Sequence, residues 1–305
     1  MQIRNIERVL VFRELNGEVF TLEKIAREYP IDPAGTLDYY GFGEENVRHF
    51  HQKGSALNDN HRKVLDDLLA SLRASDRDEM TYLFVLSPYE LKGPFEFVAA
   101  NMDVVRALAV QLNGYQAAAR GRGKRLNVVV RYASEMNDAG GRSYQGDPCA
   151  FVPSFIAVRG VFAEHAPRIL FSFSPALRAD LDVPKIADYW PGDEYVDIVG
   201  ATWYVHGEKQ RVLGMQHVRD YFLTSLARGK PFAVDEFGGA LGESDEDIYR
   251  DNDVMLEAML HELEALALQN VTFKYGTIFL DDGKYGVDAT LRFLAPCRKR
   301  EDAGR

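Results

Sequence analysis

Arg131, Ser134, Glu135 and Asn137 crowd the end of the run VVVRYASEMND, residues Val128 to Asp138. Val128, Val129 and Val130 are β-branched and continuous, as in a strand buried on both faces. A guanidinium, a carboxylate and an amide arriving where such a strand stops make a built site rather than an ordinary solvated loop. A second glutamate, Glu236, stands in the segment KPFAVDEFG, after another apolar run. Two carboxyl groups about 5–5.5 Å apart suit retaining glycoside hydrolysis, in which one serves as acid and then base while the other is the nucleophile. The glycosidic oxygen must be protonated while the opposite face of the sugar is attacked. Arg131, deeper in its strand, is placed to keep a nearby carboxylate ionised, which a nucleophile needs and a proton donor does not. Asp235, beside Glu236, reads as an ordinary hydrogen-bonding carboxylate.

The elements around these residues alternate between short β-rich runs and longer amphipathic segments, the pattern of a parallel sheet with crossover helices. Strands are expected at Arg8–Glu14, Thr36–Phe42, Met80–Leu86 (stopped by Ser87-Pro88), Leu126–Tyr132, Arg168–Phe173, Tyr195–Trp203, from Pro231–Val234 onward, and at Val271–Leu280. Between them the spacing predicts helices over Leu22–Tyr29, Asn60–Ala74, Phe97–Ala119, Phe151–Glu164, Pro184–Trp190, Gln216–Arg228, Ile248–Leu268 and Ala289–Leu294. Eight strand–helix units point to an α/β fold, a (β/α)8 TIM barrel, with residues 1–305 as one catalytic domain. Thr36–Phe42 is the weakest strand. A doubly wound open sheet is the alternative, but no glycine-rich turn follows the first strand. On a barrel the fourth and seventh strands face each other across the mouth, which would bring Glu135 toward Glu236.

The 305 residues are 46% hydrophobic and 27% charged, values of a globular chain. A net charge of −10 argues against a nucleic-acid partner. Two cysteines, Cys149 and Cys297, match no zinc spacing and read as free thiols. No apolar run approaches the roughly 18 residues that cross a membrane, and the first residues are too interrupted for a secretory core. The expectation is a cytosolic protein, or an exported one whose signal has been removed. The charged tail Arg298–Arg305 reads as frayed. Oligomeric state is not legible.

The central run resembles the acid/base motif of glycoside hydrolase family 26, which usually reads Arg, two residues, His, Glu, Met, Asn. Tyr189 to Tyr204 (YWPGDEYVDIVGATWY) is similar to the family's approach to the sixth strand, and Lys230 to Gly238 to its nucleophile segment. The members are mannanases and related retaining endo-β-glycanases with catalytic glutamates on strands four and seven. The resemblance implies that Glu135 is the acid/base and Glu236 the nucleophile. It makes Arg131 and Asn137 site-shaping residues, puts Tyr204 near the nucleophile, and leaves Trp203 as sugar platform or core. It implies a polysaccharide or oligosaccharide substrate, no cofactor and no metal. Two departures concern the sugar face: Ser134 stands where the family has His, and Phe279 near where many relatives carry Trp.

Other readings compete for particular residues. His49-Phe50-His51, with His206 and Asp281, sketches a metal-dependent amidohydrolase, but Arg168–Phe173 offers no His and Glu135 replaces the bridging Lys. The His pair is therefore placed in an exposed loop before Asn58. Tyr39, Tyr40, Tyr82 and Tyr89 are read as packing rather than cleft lining. Glu243–Asp247 reads as a solvated helix start with Ser244 as N-cap. A catalytically silent carbohydrate-binding barrel is the alternative from another class, motivated by Ser134.

Overall fold

The structure, a computed structural model, describes residues 9–12, 14–15, 18–19, 21–28, 33–90, 92–138, 142–177, 186–204, 215–238, 261–263 and 265–279. The expected helix at Ala289–Leu294, most of Ile248–Leu268, the acidic run Glu243–Asp247, His206, Asp281, Asp282, Cys297 and the charged tail lie outside them. In chain order the elements are β1 (Val9–Phe12), β2 (Glu14–Leu15), β3 (Glu18–Val19), α1 (Leu22–Glu28), β4 (Gly35–Phe42), α2 (Glu44–Lys53) and α3 (Asp59–Ala74). They continue with β5 (Glu79–Pro88), α4 (Pro94–Ala100), α5 (Met102–Arg120), β6 (Arg125–Tyr132), α6 (Pro148–His165) and β7 (Leu170–Phe173). The last are β8 (Ile198–Val199), β9 (Thr202–Tyr204), α7 (Met215–Ser225), β10 (Phe232–Gly238) and β11 (Phe273–Phe279).

The chain divides into two compact units. One comprises Gly35–Pro175 and Pro184–Ile198. Its strands β4, β5, β6 and β7 are parallel neighbours in sequence order, with Gly35 opposite Thr81, Tyr82 opposite Val128 and Arg131 opposite Ser172. Tyr82 to Leu86 are fully buried, as expected of a strand covered on both faces. Helix α3 is capped by Asn58, whose side chain accepts from the His61 amide, and buries Val64, Leu65, Leu68, Leu69 and Leu72 along one stripe. Helix α6 starts on Asp147 with Pro148 in its first turn. Its Phe151 and Phe155 rings lie 5.6 Å apart, and Phe155 meets Phe171 at 5.7 Å.

The other unit comprises Met1–Ala34, Ala176–Val183 and Val199–Arg305. Here β11 lies between β1 and β10, and β10 also pairs with β9, all parallel. Phe222 of α7 packs on Phe232 at 5.4 Å and on Phe273 at 4.9 Å, joining the helix to two strands. Arg219 of the same helix grips Glu262 with two hydrogen bonds of 2.7 and 2.5 Å. Glu262 is buried, so the bidentate geometry offsets the loss of water around its carboxylate.

Several expectations need correction. The Phe97–Ala119 helix is two helices, broken at Asn101, whose side-chain amide donates to the Phe97 carbonyl at 2.8 Å and competes with the backbone ladder. His49, Phe50 and His51 lie in α2, not in a loop. That helix buries only Val47 and is anchored from β5's exit, where the Glu90 carboxylate accepts from the Glu44 amide at 2.7 Å. β5 runs through Ser87 and Pro88 instead of stopping before them. The sixth strand is interrupted at Gly200-Ala201 and survives as β8 and β9. Of the helix expected at Pro184–Trp190, the described residues begin at Ile186, in α-helix, and continue as a 3-10 turn, Ala187–Tyr189. Tyr40 and Tyr82 are fully buried as packing residues, but Tyr89 is 57% exposed.

Candidate functional site

Counted along the sheet, β6 is the fourth barrel strand and β10 the seventh. The turn after β6 belongs wholly to the first unit described above. Arg131 is fully buried and its Nε donates to Ser174 Oγ at 2.8 Å. Ala133 and Glu135 both take left-handed conformations, with φ of 45° and 58°. Neither is glycine, so the backbone is held against its own preference, a condition that persists only where surroundings enforce it. The enforcement is visible as hydrogen bonds. The Ala133 amide donates to Leu86 O and the Glu135 amide to Ser174 O, each at 2.9 Å.

A second clamp comes from residues 142–146. Tyr144 Oη donates to the Ser134 carbonyl at 3.0 Å, Gln145 Nε2 to the Glu135 carbonyl at 2.9 Å, and the Gly146 amide to Met136 O at 2.8 Å. Arg142 donates to Tyr144 Oη at 2.8 Å and to Ser134 Oγ at 3.5 Å, and its guanidinium lies 3.9 Å from Glu135 Oε2. Burial disfavours the Arg142 cation, but Tyr144 and then Glu135 and Tyr89 outweigh it and raise its pKa further. It stays charged. The sequence alone singles out none of Arg142, Tyr144 and Gln145. They lie in a Gly-Gly-Arg-Ser stretch without periodicity, and only their contacts reveal them. Asn137 is half-buried in the same turn.

Glu236 belongs to the other unit. It is 6% exposed and pairs with Thr202 of β9. The register of β10 against β11 slips between Val234 and Phe237, around Asp235 and Glu236. Both their amides point at the Ala201 carbonyl, at 2.9 and 3.5 Å, as at a β-bulge. A bulge re-aims the side chains it carries. Asp235 is fully buried and accepts from Tyr275 Oη at 2.7 Å, as the hydrogen-bonding carboxylate expected of it. Trp203 is fully buried in β9, Tyr204 ends that strand opposite Gly238, and Phe279 ends β11 opposite Phe12.

Among the described residues no cluster of three His, Cys, Asp or Glu could hold a metal ion, and no helix is long and apolar enough to cross a membrane. Cys149 is a free, exposed thiol.

No protein-family model matches the sequence, and no curated protein matches it. Solved structures do match in fold. A modular endo-β-1,4-mannanase of glycoside hydrolase family 26 from Cellulomonas fimi superposes with a TM-score of 0.67 at 16% identity, over 96% of this chain and 70% of that one. GH26C from Muricauda sp. gives 0.65 at 14% identity, covering 96% and 86%. A GH26 β-mannanase from Bacteroides ovatus gives 0.65 at 13%, covering 96% and 89%. At such identities these likenesses establish the architecture alone: the chain has the (β/α)8 barrel fold.

Proposed function

We propose that this chain is a single-domain retaining glycoside hydrolase of the β-mannanase type, acting within a β-linked polysaccharide or oligosaccharide. The observation that carries the reading is the location of the two glutamates. Glu135 sits in the turn leaving the fourth strand and Glu236 near the end of the seventh, and (β/α)8 barrels build their active sites at those strand ends. The fold it shares with family 26 mannanases supports the choice of reaction and substrate class.

In this mechanism Glu236 attacks the anomeric carbon while Glu135 protonates the departing glycosidic oxygen. Glu135, now ionised, then takes a proton from the water that displaces Glu236. Both steps invert the anomeric centre, so the product keeps the β configuration. Arg131 contributes from beneath, holding Ser174 and with it the backbone acceptor of the Glu135 amide. The resemblance assigns Tyr204, Asn137 and Phe279 to the sugar-binding surface, while Trp203, fully buried, is core and not a sugar platform.

The test is hydrolysis of β-mannan, xylan, mixed-linkage glucan and bacterial exopolysaccharides, with the first-formed anomer followed by NMR. A β-anomer from one of them is expected, and abolition of turnover in Glu236→Ala. An α-anomer, or wild-type rates in Glu236→Ala, would overturn the assignment. Binding of a glycan with no turnover would favour a silent carbohydrate-binding barrel, the reading Ser134 invites.

A further inference from the structure

We infer that Arg142 is the positioning residue for Glu135, setting where its carboxyl group meets the glycosidic oxygen; this rests on the function proposed above. Residues 142–146 hold the turn carrying Glu135 through the carbonyls of Ser134, Glu135 and Met136. Those bonds fix a backbone whose φ at Glu135 is 58°, but they leave the side chain to be aimed. Within the clamp it is the Arg142 guanidinium that lies beside the carboxylate, at 3.9 Å.

The guanidinium is itself oriented. Its bond to Tyr144 Oη at 2.8 Å ties it to the ring that also donates to Ser134 O, and the Arg142 amide donates to Gln145 Oε1 at 2.7 Å. The aim is therefore transmitted from a fixed frame. The 3.9 Å separation matters as much as the direction. It exceeds hydrogen-bond length, so Arg142 attracts the carboxylate without occupying its oxygens as a bidentate pair would. Glu135 must carry a proton in the first step and lose it before the second. A cation at this range orients the group while leaving both states open, and it stabilises the ionised form the second step requires. Among the described residues, Tyr144 and Tyr89 also act on the guanidinium, and Asp138 lies in the same turn, its amide donating to Glu135 O at 3.0 Å.

Misplacing a catalytic group by about 1 Å can cost about 100-fold in rate. A general acid matters most when the leaving group is poor, so the two substrate types separate aim from folding. We expect Arg142→Ala to lower kcat/KM on β-mannan by about 10–100-fold and to change it by less than about threefold on 2,4-dinitrophenyl β-mannobioside in the glycosylation step, following Glu135→Gln in direction. Arg142→Lys should recover part of the loss, and added guanidinium ion should partly rescue Arg142→Ala. Arg131→Met, which loosens the turn from the Ser174 side that receives the Glu135 amide, serves as control. Equal losses on both substrates, or the same split in Arg131→Met, would overturn the inference and leave a structural clamp. If Glu135→Gln shows the split and neither Arg142 variant does, only the role of Arg142 falls. If the wild type cleaves no β-glycan, the function falls and this role with it. Should Arg142→Ala not fold, Arg142→Lys and Arg142→Gln on the same two substrates decide the matter.

Discussion

Tyr275 Oη donates to the Asp235 carboxylate at 2.7 Å, one residue before Glu236 and inside the slipped register of β10. Both partners are buried. Asp235 and Glu236 share the bulge, so tethering Asp235 helps hold the backbone that aims Glu236. Tyr275→Phe removes this donor from a buried carboxylate, which costs about 1–3 kcal/mol. The midpoint of urea denaturation should fall accordingly, and kcat should fall more than KM rises. An unchanged midpoint would show that the tether carries no strain from the bulge.

Arg131 and Ser174 form the corresponding support beneath Glu135. Arg131→Met keeps much of the volume but discards the 2.8 Å bond to a buried hydroxyl. We expect a loss of activity on every glycan and aryl glycoside alike, because the Ser174 carbonyl also receives the Glu135 amide. Kinetics on both substrate types would separate this uniform loss from the selective one expected at Arg142.

Tyr89 presents an exposed ring at the exit of β5. It lies against Gly41, where an added Cβ would stand 3.1 Å from the ring. Its amide donates to Phe42 O at 3.0 Å, so the base of the side chain is fixed. A flat aromatic face supported on backbone suits a pyranose ring. Tyr89→Ala should raise KM for polymer about three- to tenfold, the loss of one modest contact, with kcat on short aryl glycosides unchanged. Affinity electrophoresis in mannan gels with Glu236→Ala in both backgrounds would detect the same effect without turnover.

Phe222 tests the packing of the second unit. It is fully buried between Phe232 and Phe273, and Phe222→Ala should destabilise by about 3–5 kcal/mol, since the cavity is walled by two strands. Thermal unfolding followed by circular dichroism is the check. A loss under about 1 kcal/mol would mean that α7 collapses onto the sheet and fills the space.

The parts of this fold legible in sequence are those whose burial writes a pattern. β5 and β6 are continuous apolar runs because both faces are covered, and α3 shows its stripe of Val64, Leu65, Leu68, Leu69 and Leu72. Helix α2 writes none: one buried valine among charged and histidine residues looks like a loop, and its N-terminus is satisfied by Glu90, far away in sequence. The break at Asn101 is hidden because apolar periodicity continues across it. At the candidate site the two glutamates are visible from their strand-end context. The clamp is not, since hydrogen bonds from Tyr144 and Gln145 to carbonyls impose no residue pattern on the partner. The structural role of Arg131 takes the form of a bond to Ser174, a residue whose sequence context marks only the end of a strand.

The left-handed backbone at Ala133 and Glu135 has a consequence for evolution in the laboratory. Glycine at position 133 would relieve the steric cost of a φ of 45°, so a selection for thermal endurance alone would favour Ala133→Gly. The same change widens the conformations open to the peptide leading to Glu135, and the turn would hold its carboxyl group less sharply. Durability and turnover therefore pull in opposite directions at a single methyl group, and variants drawn from the two selections should diverge there first.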